Sequence, residues 1–166
     1  MSSRDLNSSD NTKANGENIT IYDTGLLMGV FDLFHIGHLN LIQRARKQCR
    51  FLRVGVLSDN LVYEFKQIYP IIPQEERMEI LCALRDVDEV VLLETKEEVS
   101  RLHEWKKRPF DCFFSGDDYA DNEYWAWEKQ KLKKLGADMV FFPYTKKRSS
   151  SMIRKELQEK GNEEGK

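Results

Sequence analysis

From Leu26 to His38 the chain reads Leu-Leu-Met-Gly-Val-Phe-Asp-Leu-Phe-His-Ile-Gly-His: an apolar run, a glycine where the chain turns, a polar junction, then helical spacing. This is the pattern of a βα unit in a parallel sheet, where ligands collect beyond the strand C-termini. A helix beginning near Ile36 or Gly37 directs its free N–H groups and the positive end of its dipole there, which favours an anion, naturally a phosphate. His35 and His38, three residues apart at that helix start, add donors on one side of such a phosphate, and Gly37 between them permits close backbone approach. Either histidine alone would read as an exposed polar residue. The pair without a third Cys, Asp or Glu at ligand spacing makes a poor zinc site.

The rest of the chain repeats this alternation. Strand-like runs occur at 51–57, 89–93, 111–115 and 139–142, each after a helix-like segment. The first helix is expected to turn Leu39, Leu41, Ile42, Ala45 and Cys49 inward. A short amphipathic segment spans 60–66. A helix starting near Pro73, with Glu75 and Glu76 in its first turn, is expected to bury Met78, Leu81, Cys82 and Leu84. A charged helix is expected over 96–107, and another over 122–135, closed by Gly136, whose Trp125 and Trp127 read as core packing. The sum is a Rossmann-like, doubly wound α/β fold with a five-stranded parallel sheet in one domain, residues 19–158. The polar stretches 1–18 and 159–166 lack the apolar content to join a core and read as flexible tails.

Composition narrows the function classes. The chain has 166 residues and a net charge of −2, with 33% charged residues of both signs in mixture. That gives no basic field for nucleic acid. Cys49, Cys82 and Cys112 are odd in number and set among apolar neighbours, so they read as buried free thiols in a reducing compartment. No run approaches the ~20 apolar residues of a membrane span and no leader pattern opens the chain. A cytoplasmic protein without membrane insertion is expected.

Two further turns lie at strand C-termini. Gly116-Asp117-Asp118-Tyr119 follows the fourth strand, and Pro143-Tyr144-Thr145-Lys146-Lys147-Arg148-Ser149-Ser150-Ser151 follows the fifth. Three consecutive hydroxyls opening a helix are N-cap candidates and equally a second anion site. A solvated loop before an ordinary capped helix would look the same. Position on the histidine edge favours the phosphate reading, since a triphosphate needs several donor sets.

The string Gly29-Val30-Phe31-Asp32-Leu33-Phe34-His35-Ile36-Gly37-His38 resembles the GTFDxxHxGH signature of the cytidylyltransferase-like nucleotidyltransferases, with Val30 in place of threonine. The resemblance covers Leu26 to Leu157 and is closest to the glycerol-3-phosphate cytidylyltransferase group. It implies that His35 and His38 stabilise the α-phosphate of CTP while the phosphate of a small alcohol attacks in line and pyrophosphate leaves. Lys66 falls where the family grips acceptor or α-phosphate. Glu76-Arg77-Met78-Glu79 through Arg85-Asp86-Val87-Asp88-Glu89-Val90 is similar to the family's ERxExxxxxRxVDEV-like segment, which makes Arg77 and Arg85 candidate phosphate-facing residues. Arg101 falls near an acceptor-contacting lysine.

The family's GDDW turn falls on Gly116 to Tyr119, which makes Gly116 and Asp118 candidates for the nucleotide. Its RTxGISTT loop falls on Tyr144 through Ser151, which makes Tyr144, Thr145, Lys147, Arg148, Ser149, Ser150 and Ser151 candidates too. Here Tyr144 replaces the arginine and Lys147 the glycine, so Lys146, Lys147 or Arg148 is expected to take over the missing arginine's phosphate contact. Asp32 is expected to hold the strand–helix junction. Mg²⁺ carried on the triphosphate and a homodimer are further implications. Two other readings stay open: an adenylyltransferase with the same HxGH core, and a nucleotide-binding regulator that has lost catalysis.

Overall fold

The computed structural model describes residues 10–14, 17–143 and 148–164. The strands are β1 (Asp10–Ala14), β2 (Glu17–Gly29), β3 (Cys49–Leu57), β4 (Glu89–Leu93), β5 (Cys112–Gly116) and β6 (Asp138–Phe142). The helices are α1 (Ile36–Arg46), α2 (Asp59–Lys66), α3 (Gln74–Cys82), α4 (Arg101–Lys107), α5 (Glu123–Lys134) and α6 (Ser150–Glu164). Five strands are parallel, in the order β4-β3-β2-β5-β6. β1 pairs antiparallel with the first part of β2, Asp10 opposite Ile21. The chain winds outward one way from β2 through β3 and β4, then crosses back to β5 and β6. The sense of winding therefore reverses at β2 and β5, and in an open α/β sheet the crevice beyond the strand ends at that reversal is where ligands bind.

Period-two alternation explains why both faces are covered. Leu27, Leu52, Val54, Val56, Cys112 and Phe114 point to one side, where Ile42 and Ala45 of α1 and Leu81 of α3 complete an apolar cluster. Leu26, Phe113 and Met139 point to the other, beneath Leu132 of α5 with Leu102 and Trp105 of α4. Such two-faced strands need apolar residues at nearly every position, as a parallel sheet between helices requires. Each fully buried Leu or Phe contributes roughly 1.5–3 kcal/mol relative to exposure. Local chemistry sets the ends. Ser58, Ser100 and Asn122 cap α2, α4 and α5 through their side chains, and Gly136 at φ +86 ends α5 in the left-handed conformation. No helix among the described residues is long and apolar enough to cross a membrane.

Several expectations are corrected. Residues 10–14 and 17–18, assigned to a tail, form the β-hairpin, because ladder pairing needs β-compatible backbone rather than a buried face. α6 runs on to Glu164 through the segment read as a second tail, whose glutamates and lysine favour the helix despite Gly161 and Asn162. The helix expected from residue 96 begins only at Arg101. The Glu98 carboxylate accepts from the N–H groups of Glu94 and Thr95, holding 94–100 as turns until Ser100 caps α4. Cys49 opens β3 rather than ending α1. Cys82 is exposed, because the register that turns Arg77 and Leu81 inward turns it out. Trp127 is also largely exposed.

Candidate active site

The residues after β2 reach the crevice through a tight turn. Phe31 and Leu33 adopt φ of 56° and 49°, a left-handed conformation that costs a side-chain-bearing residue about 1–2 kcal/mol each. Burial of Phe31 and the bonds of Asp32 offset that cost. The turn delivers His35 to the N-cap of α1 in an extended conformation. There Gly37 N–H donates to His35 Nδ1 at 3.1 Å and His35 N–H donates to His38 Nδ1 at 3.4 Å. The imidazoles thus replace the Ser and Glu of an ordinary capping box. They stack with centroids 3.8 Å apart and 27° between planes. Phe31 and Phe34 flank His38 at 5.3 and 5.5 Å.

This arrangement fixes charge and tautomer. Burial, then the neighbouring His35, push His38 down to about 3 against an opposing pull from Asp32, and burial lowers His35 as well. Both rings are therefore neutral near pH 7. With each Nδ1 accepting from the backbone, each Nε2 carries the proton and is the ring's donor. Gly37 is required by space. A Cβ there would lie 2.8 Å from His35 Cε1 and 2.9 Å from its Nδ1, and 3.4 Å from the carbonyl oxygen of Arg148.

A cavity of about 770 Å³ opens here, at the C-terminal edge of the sheet. Its lining brings together Gly29, Val30, Phe31, Asp32 and His38 with Lys66 at the end of α2, Arg101 at the start of α4, and Ser150 and Ser151 at the start of α6. Neither α1 nor α6 has an acidic residue in its first turn, so both positive helix ends are unopposed there. Ser149 Oγ accepts from Met152 N–H as the cap of α6, and Ser150 Oγ donates to the Asp32 carbonyl at 2.7 Å.

Asp32 holds the junction together. Its buried carboxylate accepts from the N–H groups of Ile72 and Ile71 at 2.9 and 3.0 Å and pairs with Arg154. Burial alone would raise its carboxyl, but these bonds outweigh it and hold it below the usual carboxylate range.

Not every candidate converges on the cavity. Arg77 is 1% exposed and is an internal strut. Its guanidinium donates to the carbonyls of Val30, Leu57 and Ile72 and to the Asp59 carboxylate, leaving it no face for a substrate phosphate. Arg85 sits in the turn between α3 and β4, at the N-terminal edge of the sheet, and is exposed. A helix running antiparallel to its strands necessarily delivers its last residues to the far edge. Gly116 ends β5 and Asp118 follows, exposed, outside the cavity lining. Arg148 is exposed and paired with Glu156. Tyr144, Thr145, Lys146 and Lys147 lie outside the described residues.

Arg154 was missed by the sequence reading, although its spacing of four from Ser150 sets both on one face of α6. Also missed were Lys96, which lines the cavity and pairs with Glu64 of α2 at 3.2 Å, and Tyr124 and Trp125, which line it from α5. The arrangement supplies neutral N–H donors, two helix N-termini, hydroxyls and a lysine to an anionic ligand, in a pocket partly closed to water.

A sequence model of the cytidylyltransferase-like family matches residues 26–156. The chain is similar to an FAD synthase of Thermococcus sibiricus, 33% identical over 134 residues that make up 78% of this chain and 86% of that one. It is also similar to a probable ethanolamine-phosphate cytidylyltransferase of Encephalitozoon cuniculi, 42% identical over 64 residues, but spans only 20% of its length and matches through 39% of its own. Among solved structures, the lipopolysaccharide core biosynthesis protein from Thermoplasma volcanium shares the fold, with a TM-score of 0.61 at 24% identity over 76% of this chain and 99% of that one. The chain belongs to the cytidylyltransferase-like family of nucleotidyltransferases.

Proposed function

We propose that this protein transfers CMP from CTP to the phosphate of a small phosphorylated alcohol of the glycerol 3-phosphate kind, releasing pyrophosphate. The observation that carries the reading is the stacked histidine pair at the start of α1, of which His38 lines the cavity together with Ser150 and Ser151 of α6 while His35 stacks against it. Charge spreads over the non-bridging oxygens of the α-phosphate in the transition state, and preorganised donors stabilise it there without reorganising. The two Nε2–H groups and the α1 N-terminus take that role, and the start of α6 holds the outer phosphates. Lys66 neutralises the incoming acceptor phosphate. That acceptor is already anionic, so no general base is invoked and no covalent enzyme intermediate is needed. In this proposal Mg²⁺ accompanies the triphosphate as a counter-ion.

A second reading, adenylyl transfer from ATP, is favoured by the similarity to an FAD synthase across most of the chain. The test is pyrophosphate release from each nucleoside triphosphate with a panel of phosphorylated alcohols and riboflavin 5′-phosphate. Release with CTP and a small alcohol phosphate supports the first reading, and release with ATP alone the second. No release with any pair would refute both and favour a nucleotide-binding regulator. The homodimer implied by the sequence resemblance belongs to the same proposal and is read by light scattering.

A further inference from the structure

The cavity wall formed by α4 and α5, on the sheet face away from α1, contains an aromatic enclosure that already holds a cation. Arg101 is 4% exposed. Its guanidinium carbon lies 4.1 Å from the ring centroid of Trp125, 5.6 Å from Phe113 and 5.9 Å from Tyr124. Glu128, 0% exposed, pairs with it and also accepts from Ser100 Oγ at 2.9 Å and Tyr124 OH at 3.3 Å. Rings around a positive charge with a carboxylate beside them is the arrangement that recognises ammonium ligands. In this protein the side chain of Arg101 occupies it.

The remaining electrostatics point the same way. Among the described residues the cavity lining carries Lys66, Lys96, Arg101 and Arg154 against one carboxylate, Asp32. Asp32 is saturated by Arg154 and two backbone N–H groups. Glu128 is consumed by Arg101. An acceptor carrying its own ammonium group finds the lining's one carboxylate already paired and four cationic side chains, of which Lys96, Arg101 and Arg154 are themselves paired, whereas a phosphate ester of an uncharged alcohol brings no positive charge to that wall.

We propose that Arg101 is a specificity-determining residue, and that by filling the aromatic enclosure it excludes amino-alcohol phosphates such as phosphoethanolamine and phosphocholine, leaving phosphate esters of uncharged alcohols as acceptors. This rests on the nucleotidyl-transfer reading, and its test is chosen to stand apart from that reading. In turnover, the wild-type protein uses glycerol 3-phosphate at least about 100-fold better than phosphocholine, and Arg101→Ala narrows that ratio by about tenfold or more, the scale of one desolvated cation–π contact.

In calorimetry with choline chloride, which needs no catalysis, the wild-type protein and Arg101→Met, whose side chain still fills the enclosure, show no saturable heat. Arg101→Ala, with Glu128 released, shows saturable binding. Saturable choline binding by the wild-type protein overturns the proposal whether or not Arg101→Ala folds, and so does comparable wild-type turnover of phosphocholine. A natively folded Arg101→Ala that binds no choline overturns it as well. If no substrate pair releases pyrophosphate, the function reading fails while the choline titration still decides this one.

Discussion

Gly37→Ala separates catalysis from stability in this fold. The added Cβ would sit 2.8 Å from His35 Cε1 and 2.9 Å from Nδ1, closer than carbon approaches carbon or nitrogen without displacement. The ring must swing away, which breaks its bond from Gly37 N–H and the 3.8 Å stacking on His38. The lost hydrogen bond costs about 1 kcal/mol, and replacing glycine with alanine in a helix returns up to about 1 kcal/mol. Global stability is therefore expected to change by less than ~1 kcal/mol in either direction. Catalysis has no such offset. A displacement on the order of 1 Å in a positioning group costs roughly 10²-fold, equivalent to about 2.7 kcal/mol of transition-state stabilisation. Steady-state pyrophosphate release beside urea denaturation reads both quantities on one preparation. Turnover within threefold of wild type, with a normal denaturation midpoint, would show that the His35 ring position does not matter and would refute the reasoning.

We predict that His35→Ala and His38→Ala each lower kcat by about 10²- to 10³-fold, the usual cost of one transition-state donor, with nucleotide affinity from calorimetry changing far less. Lys66→Ala is expected to raise the acceptor KM as well as slowing turnover, and unchanged acceptor kinetics would show that Lys66 does not meet that phosphate. Arg77→Ala removes the donor to three partly buried carbonyls and the charge partner of Asp59. It is expected to cost about 3–5 kcal/mol in chemical denaturation, and a loss below ~1 kcal/mol would contradict its role as a strut. Both histidines are held below their unfolded value near 6.5, so on acidification the unfolded chain takes up protons that the native state refuses. Stability should thus be level above about pH 6.5 and fall from there toward His38's value of about 3. Tm measured from pH 8 to 4.5 reads the fall, and His38→Gln should flatten it.

The alternation of strands and helices was legible because a parallel sheet covered on both faces writes its burial into short periodic runs, and Leu26–Met28, Val54 and Val56, and Phe113 and Phe114 follow that pattern. The histidines were legible because a capping box is local: donor and acceptor lie within three residues. What the sequence hid was long-range. Arg77 matches a family motif and was expected to face a phosphate, but the assembled ends of β2 and β3 supply the carbonyls that draw it inside. Arg85 matches a motif in one dimension, but the direction of α3 takes it to the opposite edge of the sheet. Arg101 and Glu128 sit on different helices, 27 residues apart, and neither position alone suggests a buried pair.

Asp32 joins parts of the cavity rim that belong to distant stretches of chain. The link carrying Ile71 and Ile72, just beyond Lys66, and the helix carrying Ser150, Ser151 and Arg154 are both tied to the same two oxygens. A shift of either therefore disturbs the other's anchor. Asp32→Asn would leave one accepting oxygen in place of two and remove the charge that Arg154 pairs with, loosening both rims through a single atom change.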